Sequence, residues 1–277
     1  MANVLVTPEW VFEHLHDDKL VILDASMLQV VGRVPLEYEV PTYLLCALPF
    51  DLENSFVDPD SHLPHTLPSP ERFTQLARQL GINKDSHIVI YDNQGIYSAP
   101  RAWWMFQVMG HSNVSIMDGG LPAWIDKGYP TQMQPSVSEG LGDFQATLSP
   151  QWLATLDQVM QSIDDDNVRI LDARASARFT GEASEPRPGL RSGHIPGAIN
   201  LPFLSIMKNH SYDSLDNLTN AFNERVPALD QQLIFSCGSG ITACILLVAA
   251  IQIGYENVSV YDGSWAEWGA NDALPIE

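Results

Sequence analysis

The sequence predicts an α/β protein built as two tandem copies, each a parallel sheet flanked by helices on both faces. Three observations carry this. Short β-branched runs that read as buried strands alternate with helix-like segments. The runs and their punctuation occur twice, in the same order. The 277 residues are 45% hydrophobic and 17% charged, an ordinary globular balance with chain enough for two full cores.

Along the chain, Val21 to Ser26 is a strand run ended by Asp24, and Arg169 to Arg174 repeats it with Asp172. Ser69-Pro70-Glu71 opens a helix, with Ser as N-cap, Pro in the first turn, and Phe73, Leu76, Ala77 and Leu80 on one face. His87 to Asp92 is the next strand, matched by Gln232 to Cys237. Ala99 to Met109 and Thr242 to Ile253 read as helices, each closed by a glycine, Gly110 and Gly254. Val114 to Gly120 with Trp124 is matched by Val258 to Gly263 with Trp268. The matching positions lie 148 (24 to 172), 145 (92 to 237) and 144 (118 to 262) residues apart, a spacing steady enough for a tandem duplication. Tyr129 to Ser149 holds two prolines and no sustained period, so residues 1–128 and 150–277 are expected to be the copies and 129–149 the linker.

The net charge of −20 repels polyanions, which argues against nucleic acid and anionic membrane surfaces as partners. Three cysteines cannot frame a disulfide scaffold. The segment Met1 to Trp10 lacks the pattern of a signal peptide, and the longest apolar run, Ala243 to Ile251, is far shorter than the roughly 20 residues of a membrane span. A reducing cytoplasm is the expected location.

The sharpest chemical signal is Cys237-Gly238-Ser239-Gly240-Ile241-Thr242, between a strand run and a helix run. A cysteine there faces the positive end of a helix dipole, which favours the thiolate and activates it as a nucleophile. The two glycines let successive amides point at one anionic atom. A buried structural cysteine beside a glycine-rich turn is the plainer alternative. Copy one has Asp92 at the matching position, so it is expected to keep the fold and lack the chemistry. Cys46 and Cys244 lie in apolar runs and read as small buried hydrophobes. A cysteine phosphatase would place an Arg six residues after the nucleophile, where this chain has Ala243. Neither Cys-x-x-Cys nor His-x-x-x-His spacing occurs near the loop, so no metal is expected, nor any cofactor.

Loop and repeat together resemble the tandem rhodanese-domain sulfurtransferases over nearly the whole chain. The second copy carries Gly193-His194-Ile195-Pro196-Gly197-Ala198-Ile199-Asn200 and ends in Tyr261-Asp262-Gly263-Ser264-Trp265-Ala266-Glu267-Trp268-Gly269, both similar to family motifs. Copy one has Thr42-Tyr43-Leu44-Leu45-Cys46-Ala47 where it should repeat the first of these. The uncharged loop resembles that of the mercaptopyruvate-specific branch, with Ile241 for Val, whereas thiosulfate-specific members carry basic residues there. The resemblance implies 3-mercaptopyruvate as the sulfur donor, Cys237 as the atom that becomes a persulfide, and loop residues Gly238, Gly240, Ile241 and Thr242 around it.

Arg169, Arg174, Arg178, Arg187 and Arg191 concentrate five of the 14 basic residues in one stretch. The resemblance assigns Arg178 and Arg187 to the donor's carboxylate and keto oxygen, which a planar guanidinium pairs well. Solvated arginines paired with Glu182 and Glu185 are the alternative. It also implies a relay of Ser239, His65 and an acid, which falls on Glu53 with Asp51 as rival. A thiol acceptor such as thioredoxin, or cyanide, then removes the outer sulfur. Thiosulfate as the donor, or a rhodanese module that only binds partners, are the other readings.

Overall fold

The computed structural model describes residues 4–226 and 228–277. Met1–Asn3, the start of the expected first copy, lie outside them. The chain separates into two compact units. The first holds residues up to Pro59, Leu67–Ser149 and Lys208–Tyr212; the second holds Asp60–Thr66, Pro150–Met207 and Asp213–Glu277.

In the first unit the elements run β1 (Leu5–Val6), α1 (Pro8–Glu13), β2 (Leu20–Asp24), β3 (Tyr43–Leu44), β4 (Leu48–Pro49), α2 (Pro70–Gln79), β5 (His87–Tyr91), α3 (Ala99–Val108), β6 (Val114–Met117), α4 (Gly120–Asp126) and β7 (Thr131–Gln132). Five strands form one sheet in the order β1-β6-β5-β2-β4, every pair parallel. The chain continues through β8 (Leu153–Ala154), α5 (Leu156–Ser162), β9 (Val168–Asp172), α6 (Ser176–Phe179), β10 (Ile199–Asn200), the short pair β11 (Met207–Lys208) and β12 (Ser211–Tyr212), α7 (Leu215–Asn223), β13 (Gln232–Ser236), α8 (Ala243–Gln252), β14 (Val258–Tyr261) and α9 (Ser264–Trp268). Its sheet, β10-β9-β13-β14-β8, is likewise all parallel and repeats the first order strand for strand.

The helices begin and end where the sequence places them. Ser69 Oγ accepts the Arg72 amide with Pro70 at the first turn. Gly110 and Gly254 take left-handed φ values of 81° and 100° just past α3 and α8, which a residue with a Cβ adopts only at a cost. All of α3 is buried, Arg101 and Gln107 included, as are residues 243–250 of α8, because each helix packs across two central strands. Trp124 and Trp268 close the two cores, their indole N–H groups donating to the carbonyls of Pro130 and Pro275.

Three details depart from the sequence pattern. Residues 129–149 cluster wholly with the first unit. Thr131–Gln132 pairs antiparallel with β3, and buried Phe144 donates its amide to Ile82 O, so backbone pairing and one aromatic anchor hold a stretch whose prolines suggest a free linker. Cys46 is exposed, not a buried hydrophobe. It sits in a left-handed turn at φ 62°, where copy two has Gly197 at 73°. That match explains the missing motif. The Ala47 amide bonds Leu44 O as the Ala198 amide bonds Ile195 O, so copy one keeps the turn and loses only the letters. Among the described residues no helix is long and apolar enough to cross a membrane.

Candidate active site

The second unit builds its site at the C-terminal end of its sheet, where strand ends and helix starts converge. Cys237 follows β13 directly and is 2% exposed. The loop start is clamped from the segment after β14: Cys237 N donates to Ser264 Oγ (3.3 Å), Trp265 N to Cys237 O (3.0 Å) and Ala266 N to Gly238 O (3.0 Å). Ser264 is fully buried at φ 49° and also donates to Tyr261 O. A serine in that conformation is strained, and copy one has Gly120 at the matching place, φ 50°. Gly240 turns the loop at φ 77°, Ile241 is buried, and Thr242 is the N-cap of α8 with no side-chain cap bond. Cys244, buried as expected, donates its thiol to Gly240 O.

Ser239 gathers two of the expected residues. His65 Nδ1 lies 3.2 Å from its Oγ, and Arg187 Nη2 donates to the same oxygen at 3.4 Å. His65 reaches it because Asp60–Thr66 belong to the second unit. Glu53 lies in the first unit, where its carboxylate accepts the Leu28 and Gln29 amides, while Asp51 accepts the amides of Glu53 and Asn54.

The arginine stretch divides by role. Arg191 caps the C-terminal segment through the carbonyls of Trp268, Gly269 and Leu274, and Arg169 donates to Val168 O. Arg174 is buried, bonds Asp172, Glu185 and Gly193 O, and lies 4.4 Å from the Trp265 ring centroid. Burial alone would lower its pKa, and the Asp172 and Glu185 carboxylates outweigh that and hold it above the ordinary value. Arg178 is paired with Glu185, as the solvated alternative supposes, but the pair is not solvated: the Glu185 side chain is 2% exposed. Arg178 Nη2 lies 2.9 Å from where a Cβ on Gly238 would stand, so the guanidinium packs on the cysteine loop itself. The signal for this network was the Asp-x-Arg at the end of β9, which sequence reading took only as a strand end.

Copy one shows the same loop with its chemistry replaced. Asp92 is fully buried; its Oδ2 accepts the amides of Tyr97, Ser98 and Ala99 at 2.8–2.9 Å, and its Oδ1 accepts Gln94 N at 2.8 Å. Burial pushes this carboxyl up and the four amides pull it partly back. The carboxyl oxygens of Asp92 thus fill the amide-lined position at the head of this loop.

Comparison with known proteins agrees with this geometry. The rhodanese-like domain family matches residues 7–127 and 155–271. The chain is 39% identical over 275 residues to 3-mercaptopyruvate sulfurtransferase of Escherichia coli K12, covering 98% of this chain and 97% of that one. It is 38% identical to Thiosulfate/3-mercaptopyruvate sulfurtransferase 1, mitochondrial, of Arabidopsis thaliana, covering 100% and 78%, and 36% identical to thiosulfate sulfurtransferase of Rattus norvegicus, covering 97% and 92%. The crystal structure of the Escherichia coli 3-mercaptopyruvate enzyme SseA superposes with a TM-score of 0.83 at 35% identity, over 95% of this chain and 98% of that one. The chain belongs to the rhodanese-like domain family and carries that domain twice.

Proposed function

We propose that the protein is a 3-mercaptopyruvate sulfurtransferase whose second copy is catalytic and whose first, with Asp92 at the nucleophile position, is inactive. One observation carries this reading: Cys237 stands at the head of an uncharged amide loop that has Arg178 packed on Gly238 and Arg187 bonded to Ser239. The Cys237 thiolate attacks the sulfur of 3-mercaptopyruvate. Its electron pair forms the S–S bond, the C–S bond breaks, and that pair passes to C3 of pyruvate as the enolate, which then takes a proton. Sulfur on Cys237 is oxidised to the persulfide level and the donor carbon is reduced. Arg178 and Arg187 hold the carboxylate and the keto oxygen, where charge grows as the enolate leaves. Ser239 and His65, 3.2 Å apart, move the proton; Glu53, the acid that the resemblance assigns to this relay, has its carboxylate on the amides of Leu28 and Gln29.

The persulfide has a template in copy one. Its outer sulfur is two bonds from Cβ, as is each carboxylate oxygen of Asp92. The 145-residue offset carries Gln94, Tyr97 and Ser98 onto Ser239, Thr242 and Ala243, whose amides then serve the outer sulfur with Gly238, Gly240 and Ile241 shaping the turn. A thiol acceptor, thioredoxin in a reducing cytoplasm, removes this sulfur and completes a two-step exchange.

The test is mass spectrometry of the Cys237 peptide after incubation with 3-mercaptopyruvate. One added sulfur is expected, and none in Cys237→Ser; an unmodified wild-type peptide with donor present refutes the reading. Thiosulfate is the second candidate, because relatives of similar identity are named for it, and kcat/KM for the two donors separates them.

A further inference from the structure

We propose that Glu185 sets which donors the site accepts, by cancelling the charge of one of its two arginines. This rests on the function proposed above. The side chain is 2% exposed; Oε1 accepts Arg174 Nη1 (2.8 Å) and Arg178 Nε (3.2 Å), and Oε2 accepts Arg178 Nη2 (2.5 Å). Arg174 in turn pairs with Asp172 at 2.7 Å, and both of those side chains are also buried. Asp172, Arg174, Glu185 and Arg178 thus form a chain of four alternating charges, closed and neutral, leading from the end of β9 to the cysteine loop.

Arg187 stands outside that chain. Its described contact is the neutral hydroxyl of Ser239, and among the described residues it has no carboxylate partner. Residues 238–242 carry no charged side chain, and the Cys237 thiolate of the proposed reaction faces either donor alike and is left out of the comparison. Summed over these groups the site holds two guanidinium forks but a net charge of +1. Arg178 serves as a hydrogen-bond donor held in place, and Arg187 supplies the uncompensated charge. A donor with one carboxylate is matched. A compact dianion such as thiosulfate would bring one negative charge more than the site neutralises, in a setting where desolvation makes the mismatch costly.

Gly238 belongs to the same device. A methyl group there would meet Arg178 Nη2 at 2.9 Å, so the loop must be bare at this position for the paired arginine to reach it.

The experiment compares kcat/KM for 3-mercaptopyruvate and for thiosulfate in the wild type and in Glu185→Gln, which keeps shape and removes charge. The thiosulfate-to-mercaptopyruvate ratio is expected to rise at least about tenfold, the scale of one unit charge at short range in a partly solvated site. Glu185→Asp, which keeps the charge, is expected to hold the ratio near the wild-type value. A purely structural role would lower both donors together and leave the ratio unchanged, which overturns the proposal. If Glu185→Gln does not fold, the wild type gives a second reading: pyruvate, a monoanion, should inhibit at least about tenfold more strongly than sulfate, a dianion of similar bulk to thiosulfate. Equal inhibition overturns the proposal. The persulfide on wild-type Cys237 is scored separately. Its presence with an unchanged donor ratio rejects only the role of Glu185, and its absence rejects both readings.

Discussion

Ser264 and Asp24 show how single residues carry opposing demands. Ser264 holds a left-handed backbone that its counterpart Gly120 adopts freely, and its hydroxyl takes the amide of Cys237. Copy one could not make the same choice, since a Cβ on Gly120 would come within 2.4 Å of the carbonyls of Asp92 and Gly95. In Ser264→Gly, relief of strain and loss of a hydrogen bond, each about 1 kcal/mol, nearly cancel in stability. Turnover is expected to fall because the loop start is unclamped; a Tm within a few degrees of wild type beside a reduced kcat checks this. Asp24 matches Asp172 but has Ser26 where copy two has Arg174. With no guanidinium beside it, burial pushes its carboxyl up to about 6, and the charge of Asp92 adds to the rise. A raised folded pKa means that the stability this group contributes is complete below the ordinary carboxylate value and is lost as pH climbs through about 6. Asp24→Asn, whose oxygen can still accept from Ser26, is therefore expected to gain on the wild type by up to about 3 kcal/mol between pH 4 and 7. Denaturant melts of both proteins across that range measure it.

At the scale of elements, the loops after β5 and β13 stand at matching places in the two sheets, with Asp92 at the head of one and Cys237 at the head of the other. Asp92→Asn keeps the bulk of the side chain but turns one acceptor into a donor facing amides that already donate. A loss of about 2–4 kcal/mol is expected, read from the shift in denaturation midpoint. The long central strands and the helices α2, α3 and α8 were legible in the sequence because each has a sustained apolar period and a punctuating Ser, Pro or Gly. The edge strands β1, β4, β8 and β10 were not, being two residues long and paired on one side, too short for any period to show. Helices α1 and α5 escaped for a related reason: each is short and rests on a local cap, Thr7 and Thr155, more than on a broad apolar face. At the site, Cys237, Ser239 and the two arginines could be named from residue type and spacing. Glu185 could not be ranked above Glu182, because its weight comes from burial between Arg174 and Arg178, a consequence of how α6 and the segment after it fold back on β9.

For the whole molecule, a net charge of −20 surrounds a site whose local charge is positive. At about 10 mM salt the Debye length is roughly 30 Å, so an approaching anion feels the entire protein; near 0.15 M it is about 8 Å and the nearest arginines dominate. For an anionic donor kcat/KM is expected to rise between those two salt concentrations, whereas a kcat/KM that falls throughout would mean the arginines govern approach as well as binding. The duplicated topology also supplies an internal standard for motion. In copy one the amides of Tyr97 and Ser98 are permanently bound to a carboxylate and should exchange with solvent deuterium slowly at all times. On the proposed function their counterparts Thr242 and Ala243 should start out faster and slow on sulfur loading, so that the Asp92 loop serves as a built-in gauge of how far the Cys237 loop has charged.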